Sequence, residues 1–485
     1  MTRFVPTIGL EVHCQLRTAS KLFSPCPFVR GAPANTVTDA YTWGLPGTLP
    51  VLNAEAVALA LRLAVALGCE VAGESGWDRK HYFYPDLPKG YQITQRERPL
   101  ARGGALAVPD PAAGPWATRE VALERIHLEE DAGKVVGGGI DYNRAGAPLV
   151  EIVTAPVIRD AAEAARVLRA LRFLLVRLGV SDATMEEGSL RCDVNVSLAE
   201  PGAPRSGVRC EIKNLNSFKF TLQAVAAEVE RQEGLLSAGG RVAPVTLRFD
   251  PDRGAVQVMR VKEEALDYRW LPEPDLPPLV IEAAAVAAAR AGLPDMPEQT
   301  RARYRALALE PTEAALLVDE PALGGYFDRA LAALPEPTPE RARRLCAWLV
   351  HELLAHVAVD ALEQARLGPA GLAEVVTMLE EGALTAAQAK RLVATVCRDG
   401  GAPRAVAARE GWVADADAAA VAAAVEHVLR SHPAQVAAYR GGKQVLWGFF
   451  FGQAMRALRG RADPQRVRSC LESALTTHQR GDDPP

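Results

Sequence analysis

Three segments of this chain alternate polar and apolar side chains with a period of two, which confines them to β-strands with one dry face and one polar face. In residues 8–16, Ile8, Leu10, Val12, Cys14 and Leu16 fall on one side, and Glu11, His13 and Gln15 on the other. Residues 190–198 set Leu190, Cys192, Val194 and Val196 against Arg191, Asp193 and Asn195. Residues 208–213 set Val208, Cys210 and Ile212 against Arg209, Glu211 and Lys213. A polar face of this kind can simply meet water on an antiparallel sheet. It is also the mixture of carboxylates, imidazole and cationic side chains that holds magnesium against phosphates. His13, Asp193 and Asn195 are poor strand formers that suit a ligand better than water.

Residues 126–134 place Glu129, Glu130 and Asp131 in succession. Parity puts Glu130 on the side of Ile126 and Leu128, pointing inward, while Glu129 points with His127 and Asp131. A solvated charge run before a glycine turn fits the same residues. If Glu130 is buried it requires a cation, and so does Glu151, which lies between Val150 and Ile152.

The remaining text sets the architecture. Short strand-like segments run to about residue 280, interrupted by helical periodicity at residues 54–67 and at 160–178, where Asp160 offers a cap. Beyond the Pro-rich stretch 272–278 the pattern is helical, broken near 335–339 and 400–403. The expected class is α+β: a sheet-rich domain with mainly antiparallel strands over 1–290, an all-α domain over 291–405 and a small helical tail over 406–485. With 49% apolar and 24% charged residues the 485-residue chain has a globular composition. No apolar run approaches the ~20 residues that span a bilayer, and no leader is evident, so the expected compartment is the cytoplasm. The eight cysteines are scattered without a Cys-x-x-Cys pair, which disfavours a disulfide scaffold or a four-thiolate zinc module. Neither a Gly-x-x-x-x-Gly-Lys loop nor a Gly-x-Gly-x-x-Gly turn is found, so the commonest nucleotide folds are disfavoured.

Fifty-five basic against 59 acidic side chains give a net charge of −4, so contact with nucleic acid requires a local patch. The tail supplies one: Arg440, Lys443, Arg456, Arg459, Arg461, Arg466 and Arg468 interleave with Trp447, Phe449, Phe450 and Phe451. Backbone recognition of folded RNA and a merely solvated helix face both fit.

The stretches IGLEVHCQL (8–16), YFYPDLPKGYQI (82–93), HLEEDAGK (127–134), MEEGSLRCDVN (185–195), EIKNLNSF (211–218), DYR (267–269) and PEPDLP (272–277) closely resemble the B-subunit family of the aspartyl/glutamyl-tRNA amidotransferases. The resemblance covers essentially the whole chain. It implies a cradle-shaped catalytic domain, a helical domain and a tRNA-binding tail. It further implies a carbon–nitrogen ligase that uses ATP and Mg2+ to phosphorylate the side-chain carboxylate of mischarged Glu-tRNA(Gln) or Asp-tRNA(Asn), then lets ammonia displace phosphate. On this reading Glu11, His13, Glu130 and Glu211 hold magnesium directly or through water, with Glu151 and Asp193 behind them or on a second ion. Lys80, Lys89, Arg191 and Lys213 meet phosphate or the aminoacyl end, and Arg456, Arg459 and Arg466 meet tRNA. The implied partners are an amidase-type glutaminase A subunit and a small C subunit, since no glutaminase is recognisable here. Some relatives carry four cysteines as a zinc site where this chain has Ser24, Cys26, Asp39 and Thr42, and no structural zinc is expected. The competing expectation is a non-catalytic scaffold that positions tRNA; the acidic face argues against it, because RNA phosphates would be repelled.

Overall fold

A computed structural model describes residues 4–203, 207–261, 268–412, 418–458, 462 and 464–477. The chain divides into compact units of residues 1–300 and 301–485.

The first unit is built on strands β1 (Val5–Gln15), β2 (Asp78–His81), β3 (Tyr91–Thr94), β4 (Thr118–Glu130), β5 (Pro148–Thr154), β6 (Leu190–Ala199), β7 (Cys210–Leu215), β8 (Val245–Asp250), β9 (Ala255–Val261) and β10 (Leu271–Pro272). Its large sheet runs β9-β8-β7-β6-β1-β5-β4 and is extended at the far edge by the short strands Ala101–Arg102 and Glu70–Val71. Neighbours are antiparallel except β7 and β8. That parallel pair requires a crossover, and helix α3 (Phe218–Ser237) supplies it. A smaller sheet, β10-β2-β3, is tied to the end of β4 by hydrogen bonds from Gln92 Nε2 to the Glu130 carbonyl (2.7 Å) and from the Leu128 amide to Gln95 (2.9 Å).

The two expected helices form as α1 (Ala54–Ala66), capped by Asn53, and α2 (Ala161–Arg177), capped by Asp160, which accepts from the Glu163 amide. The third, α3, breaks the expectation of only two helices in this half. Its buried face mixes Thr221, Ala224 and Val225 with Glu228 and Gln232, so the apolar period is interrupted. Those polar groups are satisfied locally: Arg231 forks onto Glu228, and Gln232 donates to both Glu228 and the Val196 carbonyl. The dry face of the large sheet, for example Cys192, Val12, Ile152 and Ile126 in one row, packs into the core with these helices. Its four members are fully buried.

The second unit is helical. Tyr304, Tyr326, Phe327 and Leu349 are buried in its first part. Its last four helices, Ala418–Ser431, Pro433–Arg440, Leu446–Ala457 and Pro464–Thr477, enclose a separate cluster of Val421, Val425, Phe450 and Leu471. Among the described residues no helix is long and apolar enough to cross a membrane.

Candidate active site

Strand pairing converts the polar alternation of single segments into rows across the sheet. Arg191, His13, Glu151 and His127 stand opposite one another on β6, β1, β5 and β4. One step along, Asp193, Glu11, Val153 and Arg125 form the next row. These rows floor a cavity of about 620 Å³ whose wall includes Lys80, Gln92, Thr94, Arg96, Tyr268 and Trp270.

At its centre, His13 Nε2 is 3.4 Å from Glu151 Oε2 and 3.5 Å from Glu129 Oε1. His127 Nε2 approaches the same Glu151 oxygen at 3.2 Å, and Arg125 lies 3.8 Å from the other. Burial alone would lower the His13 imidazole, but its hydrogen bond to Glu151 and the charges of Glu151, Glu129 and Asp193 raise it to about 9. Burial would likewise raise Glu151, yet His127 and His13 hold it well below the ordinary carboxylate range. One donor atom each from His13, Glu129 and Glu151 lies within 4.8 Å of the others. An imidazole nitrogen with two buried carboxylates fits a divalent cation such as Mg2+ or Mn2+, whose charge would replace that of the His13 proton.

The surrounding groups are fixed in place. Asn195 donates to Glu11 at 2.8 Å. Lys213 Nζ bridges Glu211 (2.8 Å) and Asp193 (3.2 Å); burial would lower its titration, but the charges of those two carboxylates raise it. Arg191 donates to Asp131 at 2.8 Å, and although burial would raise Asp131, Arg191 and Arg144 bring it down.

The structure therefore redistributes the sequence-based metal set. Glu11, His13, Glu151, Asp193, Arg191, Lys213 and Lys80 line one cavity. Glu211 stands opposite Asn195, beyond the central cluster, and its carboxylate is bound by Lys213. Glu130 does point inward, as its parity requires, and for that reason it leaves the polar face altogether. Its Oε1 accepts from Lys89 at 2.5 Å and from the Ile93 amide at 3.0 Å, while the Lys89 ammonium also sits 4.2 Å from the Tyr41 ring centre. Lys89 is thus the counter-ion of Glu130, with burial lowering its titration. Glu129 is absent from the sequence-based metal set, although its shared parity with His127 is the signal that could have found it. Arg125, Arg96 and Trp270 carry no such signal.

In the entry loop, Ser24, Cys26, Asp39 and Thr42 do converge. Asp39 accepts from the Thr42 amide (2.8 Å) and hydroxyl (2.7 Å) and from Ser24, Ser24 accepts from the Cys26 amide, and buried Lys21 donates to Thr42 at 3.2 Å. This is a hydrogen-bonded knot with one thiol. In the tail, Arg456 and Arg466 are exposed, whereas Arg459 lies outside the described residues.

The chain matches the GatB/GatE catalytic domain over residues 6–287 and the GatB domain over residues 326–475. It is similar to the B subunit of the aspartyl/glutamyl-tRNA(Asn/Gln) amidotransferase of Anaeromyxobacter dehalogenans (strain 2CP-C), 46% identical over 482 residues, 97% of this chain and 99% of that one. The proteins of the same name in Thermosynechococcus vestitus and Myxococcus xanthus are 42% and 41% identical over 484 and 481 residues. These alignments cover 96% of both chains for the first, and 97% of this chain and 98% of the other for the second.

Proposed function

This chain belongs to the B-subunit family of the aspartyl/glutamyl-tRNA(Asn/Gln) amidotransferases, ligases of more than one subunit, and we propose that its cavity activates a tRNA-borne carboxylate with ATP. The single observation that carries the reading is the His13, Glu129 and Glu151 cluster at the floor of a cavity ringed by Arg125, Arg191, Lys80 and Lys213. A carboxylate is a poor acyl donor because hydroxide is a poor leaving group. Attack of the Glu or Asp side-chain oxygen on the γ-phosphorus of ATP forms an acyl phosphate and releases ADP. Ammonia then attacks the acyl carbon, phosphate departs with the C–O bonding pair, and a proton leaves the new amide nitrogen.

His13, Glu129 and Glu151 would hold the divalent cation, with Glu11 and Asp193 adding negative charge to the same cavity; bound there, the ion would neutralise charge on the transferring phosphoryl group. Arg191 and Lys213 present fixed cations to the same developing charge, each held by a carboxylate. Glu130 with Lys89 buttresses the site from the far side of β4. An acidic floor of this kind fits phosphoryl transfer better than a passive tRNA scaffold.

The tail, residues 406–485, is assigned to tRNA through Arg456, Arg459 and Arg466. Partners are a glutaminase A subunit that supplies ammonia and a small C subunit, and the setting is the cytoplasm, where aminoacyl-tRNA is used. Mixing the three subunits with mischarged Glu-tRNA(Gln), ATP, ammonium and magnesium should give ADP and Gln-tRNA together, and Glu129→Gln should lose both. ADP formation that persists in the variant would place the chemistry elsewhere.

A further inference from the structure

The polar floor accounts for a metal and for phosphates, but a nucleotide also carries a base, which gains most by stacking on an aromatic face. Only one part of the described cavity lining offers a phenol and an indole: Tyr268 and Trp270. Their ring centres are 6.0 Å apart at 75°. Each is paired with a cation that also lines the cavity. Lys80 Nζ stands 5.1 Å from the Tyr268 centre, and the Arg96 guanidinium carbon 4.6 Å from that of Trp270.

The backbone between the two rings is unusual. Arg269 holds φ at +46°, a left-handed conformation that a non-glycine residue adopts at a cost. His81 pins it from both sides: its amide donates to the Tyr268 carbonyl at 2.9 Å, and its Nδ1 is 2.9 Å from the Arg269 carbonyl. Immediately afterwards Leu271 pairs with Arg79 on β2, the strand that carries Lys80. Residues two apart in an extended chain share a face, so Tyr268 and Trp270 fall on the same side, and the left-handed bend at Arg269 between them leaves both rings lining one cavity.

From this juxtaposition we propose that Tyr268 and Trp270 form a stacking platform for an adenosine, with Lys80 and Arg96 receiving its phosphates and directing them toward the floor. The inference rests on the phosphoryl-transfer reading for one of its two sources of adenosine, ATP; the other is the 3′-terminal adenosine of the charged tRNA. Both present the same purine face, and a platform of two rings held by cation–π contacts serves either.

The test is calorimetric titration of the full-length chain, assembled with its partner subunits, with magnesium-ATP, magnesium tripolyphosphate, tRNA, and tRNA lacking its terminal adenosine. Trp270→Ala should weaken ATP about ten- to a hundredfold while leaving tripolyphosphate within about twofold, and Trp270→Phe should recover most of the loss. Loss confined to intact tRNA, with truncated tRNA unaffected, also upholds the platform and assigns it to the tRNA end. Equal affinities of wild type and Trp270→Ala for both adenosine-bearing ligands would overturn it, as would equal losses for ATP and tripolyphosphate. If the wild type binds no ATP at all, the phosphoryl-transfer reading falls, and the platform stands only on a Trp270-dependent tRNA end.

Discussion

His13 and Glu151 face each other across adjacent antiparallel strands, with the imidazole Nε2 3.4 Å from the carboxylate. The two groups come from segments more than a hundred residues apart, and each sets the charge of the other.

With His13 assigned to the cation, proton and metal should compete for that imidazole. Without a divalent cation, His13 should titrate near 9 rather than 6.5, followed by the NMR shifts of its ring. Because the folded value is the higher one, the stability it lends is fully present below about 6.5 and is lost as pH rises through 9. Magnesium must displace this proton, so its affinity should tighten about tenfold per pH unit below 9, with release of one proton. A pH-independent affinity would remove His13 from the metal site.

Glu151→Gln removes the strongest attraction on the His13 proton. The imidazole midpoint should fall, and magnesium affinity should drop at least about tenfold. A variant with the wild-type midpoint would show that Glu129 alone controls it.

The Glu130 and Lys89 pair should behave as one unit. Removing either charge, as in Glu130→Gln or Lys89→Met, leaves the other buried and unpaired and should cost about 3–5 kcal/mol in the unfolding of the first unit. The double variant should regain a good part of that. Denaturant titration reads all three; purely additive losses would show that the two groups do not stabilise each other.

How much of this is legible in the sequence depends on distance along the chain. The strand character of residues 8–16 and 190–198, and the inward turn of Glu130, follow from parity within one segment. The capped helices at 54–66 and 161–177 follow from local periodicity. The meeting of His13 with Glu151 depends on register between strands, which no single segment encodes; Glu129 is legible in its shared parity with His127, whereas Glu130 and Glu211 enter the metal set through the family resemblance. Helix α3 is hidden because Glu228 and Gln232 occupy core positions where an apolar residue would have marked the face.

The entry loop offers a gain-of-function test. Asp39 already accepts from both Ser24 and Thr42, so Ser24→Cys, Asp39→Cys and Thr42→Cys together with Cys26 should create a four-thiolate zinc site. Metal analysis should then find about one zinc per chain, against none in the wild type. Stoichiometric zinc in the wild type would contradict the single-thiol reading.

For the tail, replacing Arg456, Arg459 and Arg466 by Ala should weaken tRNA binding and flatten its dependence on salt. The slope of log affinity against log salt should shrink by about 0.7–0.9 for each phosphate that is no longer neutralised. A steep slope that survives all three changes would place the RNA-binding surface elsewhere.

The left-handed turn at Arg269 separates two kinds of change open to this enzyme. The acids and histidines of the floor are locked into paired strands, where a shift of one residue would turn each of them to the dry side. Tyr268 and Trp270 sit on a connection, free of that register. Descendants of this protein can therefore alter which nucleotide or aminoacyl end they accept by rebuilding a three-residue bend, while the machinery that handles charge is inherited untouched.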